Sequence, residues 1–158
     1  MFTATFIVNA YDRNLSLIQQ MTGRFTHADS LVQPPAPGNC ANWIVGHVAA
    51  YRNRILTILE EEPTLDPQLA QRYARDSAPV LGDEPGLARF EMLIEALVEA
   101  QPRIAMGLEL LTSHHAERVV TYPPMTLTVA EWMISLLRHE AYHTGQLELL
   151  QEVVNATK

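Results

Sequence analysis

The sequence predicts an all-α fold, a four-helix bundle with long crossing connections. Four long stretches carry apolar residues at helical spacing, and proline-rich breaks separate them. No alternating apolar–polar run is long enough to claim a sheet. Four helices of about 20 to 28 residues with no strands then leave bundle packing as the way to bury their apolar faces.

The first helix is expected from about Thr3 to Phe25, with Phe6, Ala10, Leu15, Leu17, Ile18 and Met21 as its stripe. Pro34-Pro35-Ala36-Pro37-Gly38 ends it and reads as a surface loop. The second helix is expected from Ala41 to Glu61, with Ile44, His47, Val48, Tyr51, Ile55, Ile58 and Leu59 inward. Asp66-Pro67 fits the start of a short helix, aspartate as N-cap and proline at the first helical position. A third long helix is expected from Pro85 or Gly86 to Thr112, its face running from Leu87 through Val98 to Leu111, with Pro102 kinking it. Residues 113–127 read as a connection. Thr128-Val129-Ala130-Glu131 fits a capping box that starts the fourth helix, which runs to about Val154.

Composition narrows the function classes. A chain of 158 residues, 47 % apolar and 18 % charged, is expected to form one domain over residues 1–158. Its net charge of −7 and scattered basic residues argue against nucleic acid. No apolar run approaches the ~18 residues of a membrane span. Met1 to Ala10 shows no basic leader or cleavage site, so the cytoplasm is the expected location. Cys40 is the only cysteine, which excludes an intramolecular disulfide and a thiolate-rich metal site.

The chemistry concentrates in His139-Glu140-Ala141-Tyr142-His143. Positions i and i+4 differ by only ~40° around a helix axis, so both imidazoles leave one face. That face continues Val129, Trp132, Met133 and Leu136 and leads on to Leu147 and Leu150, which places both histidines at inward positions. His47 points inward on the second helix. Three inward imidazoles from two helices can converge on one divalent ion with coordination positions left open, the arrangement of a catalytic site. A water or thiol at such a position loses acidity and becomes a nucleophile. Gly46 removes a side chain where the helices must approach closely. Imidazole alone does not choose among Zn, Ni, Fe and Cu.

The remaining candidates have structural readings beside functional ones. Glu140 lies ~100° from His139 and reads as an exposed salt-bridge former, or as a general base. Trp43, Trp132 and Tyr51 read as core and pocket wall, and Gln146 and Tyr142 as core packing, helix surface or pocket lining. His27, His114 and His115 read as solvated, and Cys40 has no identifiable base to activate it. His-Glu-x-x-His is also a zinc-protease signature. Only fifteen residues follow His143, the metzincin extension positions hold Gln146 and Leu149, and no sheet is predicted to hold a peptide.

Asn42-Trp43 with His47, the Thr128 to Trp132 helix start, and His139-Glu140-Ala141-Tyr142-His143-Thr144-Gly145-Gln146-Leu147 resemble the DinB-like superfamily, also called the damage-inducible or thiol-dependent metalloenzyme family. The last string is the specific part, and the similarity spans essentially the whole chain. The resemblance implies a four-helix bundle, frequently a homodimer, with zinc or nickel held by His47, His139 and His143. It also implies small-molecule partners: a low-molecular-weight thiol and an electrophile, as in thiol S-transferases and a thiol-dependent maleylpyruvate isomerase. The leading expectation is therefore a metal-dependent thiol transferase, its substrate chosen by loops 33–42 and 120–127. The alternatives are a metal-dependent hydrolase with Glu140 as base and a non-catalytic dimeric metal-binding module.

Overall fold

The computed structural model describes residues 4–158. Helices α1 (Ala4–Thr22), α3 (Ala41–Ile58), α5 (Phe90–Glu109) and α7 (Val129–Ala156) form the bundle. Three short helices lie in the connections: α2 (His27–Ser30), α4 (Pro67–Arg72) and α6 (Ser113–Glu117). Thr3, the expected start of the first helix, lies outside the described residues, as do Met1 and Phe2 of the leader reading.

Each long helix packs on two others, giving a ring in the order α1, α7, α3, α5. Apolar residues fall into two clusters along the bundle. One holds Leu15 and Ile18 with Ile44, Val48, Leu93, Leu97, Leu147 and Leu150. The other holds Ile7 and Tyr11 with Ile55, Leu56, Ile104, Leu108, Trp132 and Leu136. Reading these in chain order gives directions: α1 and α7 run one way, α3 and α5 the other. Parallel neighbours cannot be joined by a tight turn, which is why residues 59–89 form a long crossing connection between α3 and α5.

Local chemistry sets the helix starts. The expected capping box is present: the Thr128 hydroxyl accepts from Glu131 N at 3.2 Å, and the Glu131 carboxylate accepts from Thr128 N at 2.8 Å. Asp66 caps α4, accepting from Gln68 N and Leu69 N, with Pro67 at its first position. A second capping box, Thr26 with Asp29, starts α2.

Four expectations are corrected. Helix α5 begins at Phe90, not Pro85 or Gly86, because tertiary bonds take the preceding backbone. Gly86 has φ +84°, Ala88 N donates to the Tyr73 hydroxyl, Ala88 O accepts from Asn42, and Phe90 N donates to His27 Nδ1. Residues 113–127 hold α6 and a two-stranded antiparallel hairpin, β1 (Val119–Tyr122) and β2 (Met125–Thr128), turning at a cis Pro123–Pro124 peptide. Four-residue strands are too short to leave a readable alternation. The inward stripe of α1 is Ile7, Tyr11, Leu15 and Ile18, while Phe6 is 65 % exposed. Val98, expected on the core face of α5, faces outward. Among the described residues no helix is long and apolar enough to cross a membrane.

Candidate metal centre

Between the two apolar clusters lies a polar layer, and the candidate site is built on it. His47 comes from the first half of α3, and His139 and His143 from the middle of α7. Helices α3 and α7 are neighbours, so the three rings meet. Nε2 of His47 lies 3.3 Å from Nε2 of His139, which lies 3.2 Å from Nε2 of His143. One ligand nitrogen from each falls within 4.8 Å of the other two.

Outer hydrogen bonds fix which nitrogen faces inward. His47 Nδ1–H donates to the Tyr73 carbonyl at 2.7 Å, and His143 Nδ1–H donates to Gln146 Oε1 at 2.7 Å. A neutral imidazole has one proton, so both rings present a bare Nε2 lone pair to the centre. A proton on His139 Nε2 can satisfy one of them only, and His139 Nδ1 is buried without a partner. The set therefore lacks a positive centre. A divalent ion with bonds of about 2.0–2.1 Å to nitrogen spans donor pairs at roughly 3.0–3.4 Å, so two of the three spacings fit.

The same crowding keeps the rings neutral. Burial, with Tyr73 opposing and the His143 ring adding, lowers the His47 pKa to about 4. Burial and the two neighbouring imidazoles lower His139 to about 3, and burial lowers His143. Neutral rings are the metal-ligating form.

Aromatic rings hold the orientation. The Trp43 indole stacks on His47 with centroids 4.6 Å apart and 14° between planes, and its Nε1–H donates to Ser77 Oγ at 3.0 Å. Tyr51 stacks on His139 at 4.2 Å and 28°, which orients the one ring that has no outer hydrogen bond. Gly46 does relieve a close approach, though the neighbour is the Tyr73 ring just past α4 and not a long helix; a Cβ there would fall well inside van der Waals distance of it. The Tyr73 hydroxyl donates to Asn42 Oδ1 at 3.0 Å, so Asn42, Gly46 and His47 on successive turns of α3 all grip one residue.

Glu140 is not the exposed residue its helical angle suggests. It is buried, and its two oxygens accept from Arg52 Nε and Nη2, each at 2.9 Å. Arg52 also donates to Leu97 O, Gln101 Oε1 and Tyr11 O, so all five of its N–H groups are used. The Glu140 carboxylate thus turns into the core. Gln146 stands behind His143 and is not on the cavity wall. His27, expected to be solvated, is buried and caps Phe90 N, with Nε2 3.3 Å from Asp83. Cys40 is a buried N-cap whose thiol burial pushes up.

The three histidines form the floor of a cavity of about 660 Å³. Trp43, Tyr51 and the exposed Tyr142 line it, together with Tyr122 to Met125 of the hairpin. Of the loops expected to select substrate, the hairpin and Asn39 take part, whereas residues 33–38 do not. Arg75, Asp76 and Ser77 do, and no local pattern in the chain pointed to them.

No curated protein matches the chain. A crystal structure of a conserved protein from Enterococcus faecalis is similar in fold, with a TM-score of 0.73, 16 % identity and 99 % of each chain covered. A sequence model of the DinB superfamily matches residues 10–147, a span that includes all three histidines. The chain belongs to the DinB superfamily.

Proposed function

We propose that this protein is a divalent-metal-dependent enzyme that joins a low-molecular-weight thiol to a small electrophile. The observation that supports the reading most is the convergence of three Nε2 lone pairs on the floor of an open cavity, with no fourth protein ligand among the described residues. A divalent ion held by His47, His139 and His143 would lower the pKa of a thiol beside it to near neutrality.

The chain's own residues prepare that chemistry. Tyr73 and Gln146 hold two imidazoles in the ligating tautomer. Trp43 and Tyr51 fence the rings from the side, and the hairpin covers the cavity with Tyr122 and Met125. The sulfur attacks the electrophilic carbon, the thiol proton passes to solvent, and the leaving group departs with the displaced electron pair. Zinc and nickel both suit an all-imidazole set.

Two alternatives are less well supported. Hydrolysis with Glu140 as base requires a carboxylate facing the cavity, and this one is committed to Arg52. A non-catalytic metal module has no use for a cavity of this size. Assaying metal-loaded protein with cysteine, glutathione and other cellular thiols against an activated haloarene tests the proposal. We expect metal-dependent conjugation that His47→Ala abolishes; absence of turnover with every thiol, or turnover indifferent to that substitution, would overturn it.

A further inference from the structure

The cavity over the histidines carries a charge opposite to that of the chain. The sequence has eleven basic and eighteen acidic residues. The cavity wall reverses this, with Arg54, Arg75 and Arg138 against the single carboxylate Asp76. Arg75 and Asp76 face each other at 3.8 Å on the exposed rim and offset one another. Arg54 and Arg138 are left uncompensated, and a concave wall concentrates their field.

Arg54 stands out from the others. It is half-buried, and its guanidinium lies over the rings of Tyr51 and Tyr122, 4.6 and 4.9 Å from their centroids. Among the described residues no carboxylate or hydrogen-bond acceptor meets it. Arg52, two positions earlier, has every N–H satisfied. Aromatic faces stabilise the cation and fix its plane, but they leave the N–H donors around its edge unused. A planar fork of this kind matches the paired oxygens of a carboxylate or phosphate.

We propose that Arg54 anchors an oxyanion, a carboxylate or a phosphate, carried by the small molecule that occupies this cavity. Arg138 adds attraction at the mouth. The Tyr51 ring touches both the Arg54 guanidinium and the His139 imidazole, so it spaces the anchor from the metal-ligating set. The inference deepens the proposed function and rests on it for the other end of the ligand: thiol or electrophile, one reactant is anionic. Arg54 is here a positioning and specificity residue.

Trp43 and Trp132 are the chain's two tryptophans and both line the cavity, so intrinsic fluorescence reports its occupancy. The protein is titrated with succinate, with inorganic phosphate and with uncharged succinamide. At least one anion is expected to saturate the signal with a Kd roughly tenfold or more below that of succinamide, as a charge-assisted pair requires. Arg54→Met should raise that Kd by roughly tenfold, and Arg54→Lys, which keeps the charge and loses the fork, by less. The tighter of succinate and phosphate assigns the oxyanion. Equal response to succinate and succinamide, no response to either anion, or an unchanged Kd in Arg54→Met would overturn the proposal. Should Arg54→Met melt early by circular dichroism, the Arg54→Lys comparison decides in its place, an unchanged Kd counting against the fork. No metal, thiol or turnover enters this readout. Its failure therefore leaves the three-histidine centre standing, while loss of that centre is read separately from metal binding by His47→Ala.

Discussion

A histidine can ligate a cation through either ring nitrogen, and here a backbone carbonyl and a carboxamide make the choice for two of the three rings. The Tyr73 carbonyl reaches His47 only because Gly46 leaves room for the tyrosine ring above it. Gly46→Ala should therefore displace Tyr73, free the His47 tautomer and weaken metal affinity by about 10- to 100-fold, the usual cost of losing an outer-sphere partner. Competition with a chelator measures this, and unchanged affinity would show that Tyr73 does not matter to the centre. The depressed pKa values give a second expectation. In the unfolded chain these histidines take up protons near pH 6.5, whereas folded His47 and His139 do so only near 4 and 3. Below about pH 6.5 the unfolded state binds more protons, so metal-free protein should lose stability steadily as pH falls from there towards 4. Melting temperatures across that window check the sign, and His139→Gln should flatten the slope. At this scale the sequence was informative about the convergence of the three histidines, since spacing places His139 and His143 on one face. It was silent about Tyr73, because a contact 26 residues away in a proline-rich connection leaves no periodic trace.

Helices α1, α3, α5 and α7 are tied together by one side chain. Arg52 on α3 donates to Tyr11 on α1, to Leu97 and Gln101 on α5, and to Glu140 on α7. Glu140 is the residue beside His139, so this tie holds α7 in the rotation that turns His139 and His143 towards His47. Glu140→Gln leaves a buried guanidinium without its counter-charge and should destabilise the fold by about 3–5 kcal/mol in urea denaturation. A loss below about 1 kcal/mol would mean that the pair is dispensable. Helical angle alone misplaced Glu140, because an arginine and a glutamate on different helices read as two surface charges until the bundle is assembled. The capping box at Thr128 and the N-cap at Asp66 were legible for the opposite reason: their partners lie within three residues. The hairpin was not, since its strands are four residues each and its residues meet the cavity only once the bundle is assembled.

Across the whole molecule, two apolar clusters enclose a polar layer, and that layer opens to one side as the cavity. The long helices and their proline-rich separators were readable because burial in a bundle imposes a repeat of 3.6 residues on every stripe. The helix directions were not, as they follow from which cluster each end joins. Parallel α3 and α5 force residues 59–89 across the bundle, and that crossing delivers Tyr73, Arg75 and Ser77 to the site. The crossing connection thus supplies part of the three-histidine cluster's surroundings as well as the chain's return path. Metal titration of chelator-stripped protein, wild type beside His139→Ala, tests the central claim most directly. One divalent ion per chain, with affinity lost in His139→Ala, is the result these three converging nitrogens predict. Failure of the wild type to bind zinc or nickel, or equal binding by the variant, would contradict it.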